Sequence, residues 1–208
     1  VAWIFTSLCI VAVAVLLEAE VRRPRQRRLP KMAASTAFVA VALAAGALDT
    51  TFGVIMVAGL GLCWFGDLFL SYNGRQPFVA GLLAFLAGHV AYVIAFANRG
   101  LGEQLWIPLL AMAIVAVPVA QWLLPTVPRE LKVPVIAYMA VISTMVALAV
   151  STHVAAADWR IPGGAAAFYL SDLGVARDRF AWPGLINRMV GLPLYFGGQL
   201  LLAWAAGG

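Results

Sequence analysis

The stretch LGLCWFGDLFL, residues 60–70, decides the fold. It lies in an apolar run near 52–72 whose length suits a helical bilayer crossing, and its only charge is Asp67. A carboxylate near the bilayer centre costs about 2.5–3.5 kcal/mol on the insertion scale, so it needs a reason to be there. A second stretch, AAAFYLSDLGVA at 165–176, repeats the anomaly with Asp172. The pair points to chemistry inside a membrane.

Further apolar runs fall near 2–20, 32–49, 77–98, 104–124, 132–153 and 186–206, which with 52–72 and 162–176 makes eight expected helices. The runs are continuous and rich in Leu and Ala, unlike the alternating strands of a barrel. The expected fold class is therefore all-α, a polytopic membrane bundle of eight transmembrane helices. Of 208 residues, 63% are hydrophobic and 11% charged, with a mean hydropathy of +0.94, which excludes an ordinary soluble domain and a disordered chain. The short loops leave no room for a soluble catalytic unit, so residues 1–208 read as one transmembrane domain with its site among the helices.

The basic cluster VRRPRQRRLPK, residues 21–31, follows the first run and is expected on the cytoplasmic side. Alternating crossings then put Arg75, Arg129, Lys132, Arg177, Arg179 and Arg188 on that side too, and leave only Arg99 and Arg160 of the 14 basic residues outside. Both termini are expected on the non-cytoplasmic side. Because the positive charges follow the first run, it reads as a retained helix, not a removable signal peptide. The start at Val1 instead of Met reads as trimmed or processed.

On this topology Asp67 lies about 9 Å and Asp172 about 7 Å from the cytoplasmic ends of their helices, at 1.5 Å per residue. Tyr138 and Tyr195 enter the same layer from helices running the other way. His89 with Tyr92 at i+3, Gln199 at i+4 from Tyr195, and Ser171 beside Asp172 extend the expected polar cavity. Gly59, Gly61, Gly66, Gly81, Gly88, Gly163, Gly164, Gly197 and Gly198 are expected to let helices approach closely. Pro108, Pro118 and Pro134 are expected kink positions in the fifth and sixth helices.

Other residues carry blander readings. Cys9 and Cys63 lack the partners of a metal or haem motif and read as buried or lipid-facing packing groups. His153 reads as interfacial, and Trp106, Trp122, Trp159 and Trp182 as belt anchors at helix ends. The pI of about 9.7 comes mainly from the loop charges, which suit membrane lipids, and no nucleic-acid module is visible.

Four motifs carry a resemblance: GLCWFGDLFLS at 61–71, FLAGHVAYVIAF at 85–96, GGAAAFYLSDLGVARDRF at 163–180 and LPLYFGGQLLL at 192–202. In this order and spacing the chain resembles the YhhN-like lysoplasmalogenase family, integral membrane proteins of bacteria with animal relatives. The family commonly opens its second helix with Lys–Pro where this chain has Pro30–Lys31, which speaks against Lys31 as a headgroup ligand. The resemblance implies hydrolysis of the vinyl ether bond of a lysoplasmalogen, giving a fatty aldehyde and glycerophosphoethanolamine or glycerophosphocholine. A bacterial inner membrane is the expected location, and the topology and depth of the aspartates lead to the expectation of a site opening toward the cytoplasmic leaflet.

Vinyl ether hydrolysis needs a proton donor for the alkenyl carbon and a group that stabilises the resulting oxocarbenium ion. Paired carboxyls in an apolar site meet both needs, as in glycosidases, which pass through a similar cation. Asp67 and Asp172 are therefore the expected catalytic pair, with either as the acid. His89, Tyr92, Tyr138, Ser171, Tyr195 and Gln199 are expected to bind substrate or orient water, and Arg75, Arg177 and Arg179 to lie near the headgroup. No cofactor and no metal is expected, since a catalytic zinc site takes about three protein ligands and the chain has 2 histidines, read as well apart in depth. The competing readings are a proton-coupled transporter and a non-catalytic lipid-binding protein, in which the aspartates carry protons or grip a cation.

Overall fold

The computed structural model describes residues 1–208, the side chain of Pro24 excepted. Eight α-helices follow one another: α1 (Ala2–Arg22), α2 (Arg28–Ala44), α3 (Thr51–Leu70), α4 (Arg75–Arg99), α5 (Trp106–Leu123), α6 (Lys132–Ala156), α7 (Arg160–Ala176) and α8 (Leu185–Ala206). Six of them are long and apolar enough to cross a bilayer, and the chain is an integral membrane protein. The shorter two, α2 and α7, have 17 residues each. That length rises about 26 Å, a little less than the hydrocarbon thickness.

Seven of the expected helices fall within a few residues of their places, and the second is displaced. It spans Arg28–Ala44 where 32–49 was expected, because Gly46 takes a left-handed φ of 89° and the chain turns through a short 3-10 segment, Ala47–Asp49. Thr50 then caps α3, its hydroxyl accepting from Gly53 N at 3.0 Å. The displacement brings Lys31 into helix α2, with consequences for the site. Pro108 and Pro134 fall in the first turns of α5 and α6, where a missing N–H costs nothing. Pro118 and Pro193 are the two prolines inside helices.

Loop contacts show the alternation of the bundle. At one end Arg28 donates to Tyr72, Arg75 pairs with Glu130, Arg179 lies over the Phe78 ring, and Arg188 and Arg27 both approach Glu20. At the other end Arg99 donates to Ala205 O and Arg160 to Trp204 O and Gly208 O. The basic loops thus gather at one end.

Small residues fit the helices together. A Cβ on Gly59 would stand 2.6 Å from the Tyr92 ring, on Gly66 2.6 Å from Phe85, and on Gly88 2.8 Å from Cys63 Sγ. These glycines let α3 and α4 pack along their length, and Gly164 and Gly198 do the same for α7 and α8. Gly61 and Gly197 have nothing within 4 Å of such a Cβ and Gly163 only ordinary contacts, so these three are not close-approach positions. Helix α5 buries only Leu123, which leaves it facing the lipid. Trp106, Trp159 and Trp182 are exposed at helix ends, whereas Trp122 packs on a small cluster around Leu123 and Val127.

Candidate functional site

Asp67 sits on the last turn of α3 and is 2% exposed. Its Oδ2 accepts hydrogen bonds from Ser35 Oγ and from Tyr195 OH, both at 2.6 Å. Its Oδ1 faces Lys31 Nζ at 3.2 Å. Hydrogen bonds to a charged group are worth about 1.5–3 kcal/mol each, so these partners can offset the cost of placing this carboxylate in apolar sequence. Lys31 and Ser35 are spaced i, i+4, so α2 turns both toward Asp67.

Tyr195 is held for this contact by rings on every side. Phe196 lies 4.8 Å away, Phe168 5.1 Å, Phe85 5.8 Å and Phe38 6.3 Å between centroids. Behind it, Tyr92 OH donates to Gln199 Oε1 at 2.8 Å, and Gln199 Nε2 donates to the Tyr195 oxygen at 3.3 Å. A directed chain of donors therefore runs Tyr92, Gln199, Tyr195, Asp67. The chain fixes which way each hydroxyl points.

Asp172, on α7, has a different environment. Tyr138 OH donates to its Oδ2 at 2.5 Å, and the His89 Nε2 stands 3.8 Å from the same oxygen, beyond hydrogen-bond reach. No cation lies against it as Lys31 lies against Asp67, and its side chain is 18% exposed. His89 packs 4.5 Å from the Phe168 ring, and both its ring nitrogens are buried without a hydrogen-bond partner among the described residues. Phe168 touches His89 on one side and Tyr195 on the other, joining the two aspartate clusters across one aromatic wall.

Both aspartates line one cavity of about 560 Å³, together with Tyr138, Ser171, Tyr195 and Lys31. Its remaining wall is largely apolar, including Leu82, Phe85, Val135, Met139 and Ile142. This is the size and character of a small-molecule site, an apolar chamber with a few convergent polar groups. His89, Tyr92 and Gln199 are fully buried and stand behind the wall, not on it. Of the three basic residues expected near a headgroup, Arg179 lines the cavity. Arg75 instead pairs with Glu130, and Arg177 stacks near Trp182. Among the described residues no three His, Cys, Asp or Glu side chains gather as a metal site.

Residues 26–206 match the YhhN family. The chain belongs to the YhhN family. Among curated proteins, this YhhN-family chain is similar to the lysoplasmalogenase TMEM86A of Bos taurus, 31% identical over 154 residues, covering 71% of the chain and 63% of the relative. The Homo sapiens protein of the same name is 30% identical over 147 residues, covering 68% and 60%. The chain thus spans somewhat under two thirds of the length of these relatives. No solved structure matches it significantly.

Two site residues of this YhhN chain escape a reading of its apolar runs. Lys31 and Ser35 fall at the edge of the second run, and only their i, i+4 spacing at the depth of Asp67 marks them. Lys31 places an ammonium directly on an aspartate.

Proposed function

We propose that this protein is a membrane-embedded lysoplasmalogenase, hydrolysing the vinyl ether of a lysoplasmalogen without a metal. The fatty aldehyde and glycerophosphoethanolamine or glycerophosphocholine leave as products. The observation that carries the reading is the unequal pair of aspartates on the wall of one chamber that is otherwise mostly apolar. The names of the relatives support the substrate class.

Asp172 serves as the acid in this reading. It is the more exposed of the two, and Tyr138 engages only one of its oxygens, so the other is free to present a proton. The proton passes to the alkenyl carbon, the double-bond electrons form the new C–H bond, and an oxocarbenium ion results. Asp67, compensated by Lys31, Ser35 and Tyr195, remains a carboxylate whose negative charge favours that cation. Water adds to the cationic carbon and surrenders a proton to a carboxylate, giving a hemiacetal. Collapse of the hemiacetal breaks the carbon–oxygen bond, releasing aldehyde and the glycerol hydroxyl, with no net proton consumed. His89, Tyr92 and Gln199 act as positioning residues behind the wall, and Ser171 and Tyr138 border the reacting atoms.

All eight helices cross the membrane in this account, as one domain with both termini on the non-cytoplasmic side. The cavity opens at the basic end, which the positive-inside rule assigns to the cytoplasmic leaflet of a bacterial inner membrane. The apolar wall suits the single chain of a lysolipid.

The test is aldehyde release by the purified protein from a defined lysoplasmalogen, beside the matching ester lysolipid. Release from the vinyl ether alone is expected. Proton uptake in sealed vesicles with no aldehyde would establish the transporter reading instead.

A further inference from the structure

The cavity carries a second cluster, separate from the aspartate layer. Glu20, near the end of α1, has a side chain only 6% exposed, and its Oε2 stands 3.6 Å from Arg27 and 3.5 Å from Arg188. Neither approach is a hydrogen bond: Glu20 Oε2 and Arg188 Nε are both buried with no hydrogen-bond partner among the described residues. All three residues line the cavity. The two arginine side chains are 29% and 39% exposed, so the buried Glu20 carboxylate is held only loosely, which is unfavourable unless another group completes the cluster. Two guanidiniums against one carboxylate leave one net positive charge, and guanidinium forks match the oxygens of a phosphodiester.

The spacing to the aspartates fits a glycerol unit. Arg27 precedes Lys31, the partner of Asp67, by one turn of α2, about 6 Å along the axis. Arg188 precedes Tyr195 by two turns of α8, about 10 Å. Gly191, between them, also borders the cavity and puts no side chain in the path. A glycerol phosphate whose ether lies at the aspartate layer would set its phosphate at the level of these arginines.

We propose that Arg27 and Arg188, held by Glu20, form the phosphate subsite for the lysolipid headgroup. The assignment rests on the lysophospholipid reading of the cavity. It replaces Arg75 and Arg177, which stand elsewhere, and makes the headgroup phosphate a determinant of affinity rather than of chemistry.

The test measures binding of two ligands to the purified full chain: a saturated-ether lysophosphatidylethanolamine, which lacks the vinyl bond, and the alkylglycerol with the same tail. The wild-type protein is expected to prefer the phosphate-bearing ligand by about tenfold or more. Arg188→Gln and, separately, Arg27→Gln are expected to shrink that preference to about twofold, with alkylglycerol binding retained as the measure of an intact fold. Arg188→Lys, which keeps the charge and loses the fork, is expected to fall between. Full preference in both glutamine variants would overturn the proposal. So would inorganic phosphate competing as well as glycerophosphoethanolamine, which would assign the arginines to free phosphate. Absence of aldehyde release with the binding preference intact would remove the lysoplasmalogenase reading and leave the phosphate subsite standing.

Discussion

Lys31 Nζ lies 3.2 Å from Asp67 Oδ1, whereas the nearest basic group to Asp172 is the His89 ring, 3.8 Å away. This single asymmetry separates two carboxyls that the sequence leaves equivalent. Asp67 has a counter-charge built in against it. Asp172 has none, and in the proposed mechanism it is the group that gives up a proton.

Asp67→Asn is expected to reduce turnover on lysoplasmalogen by about 100-fold or more while the protein still inserts and folds. The variant keeps an acceptor for Ser35 and Tyr195 but loses the charge that favours the oxocarbenium ion. Turnover measured beside a thermal melt in detergent separates the two effects.

Lys31 is a positioning residue in this account. Lys31→Met is expected to lower kcat by about tenfold or more with a smaller change in KM, and Lys31→Arg to recover part of the loss. A purely structural role would instead lower the melting temperature and leave kcat of the folded fraction unchanged.

The α3–α4 contact makes a stability prediction independent of chemistry. Gly88→Val would press a side chain into Cys63 Sγ, 2.8 Å from the new Cβ, and is expected to cost about 1–3 kcal/mol. Gly61→Ala, where nothing lies within 4 Å, is expected to melt like the wild type. Equal melting of both variants would show that the helices do not meet there.

At the opposite end of the bundle, Asp158 binds Arg160 through both oxygens, at 2.8 and 3.0 Å. Burial opposes its charge, but the hydrogen bonds from Arg160 and the charges of Arg160 and Arg99 outweigh it and hold the carboxyl below its usual value. A carboxyl depressed on folding contributes stability above its unfolded pKa of about 3.9 and loses it as pH falls through the lower folded value. Asp158→Asn is therefore expected to melt lower at neutral pH, by about 1–3 kcal/mol, with the gap to wild type closing in acid. A gap that stays constant with pH would exclude the linkage.

Much of this was legible in the chain. Apolar run lengths gave the eight helices, and helical rise put Asp67, Asp172, Tyr138 and Tyr195 at one depth, where the structure brings Tyr195 onto Asp67 and Tyr138 onto Asp172. The second helix was misplaced because Gly46 ends it early, a turn that hydropathy does not register beside the apolar residues following it. That same shift hid Lys31, which belongs to the helix and not to the basic loop, while Ser35 lay inside the expected run with no charge to mark it. The arginines proposed for the headgroup were not legible either. Charge counting ranks all the arginines at this end alike, and only packing sends Arg75 to Glu130 while Arg188 turns to Glu20.

In the proposed mechanism Asp172 delivers the proton to the vinyl ether. Its most direct test is the rate of aldehyde release from a defined lysoplasmalogen by purified, folded Asp172→Asn protein. A loss of about 1000-fold relative to wild type is expected. A rate near that of the wild type would contradict it.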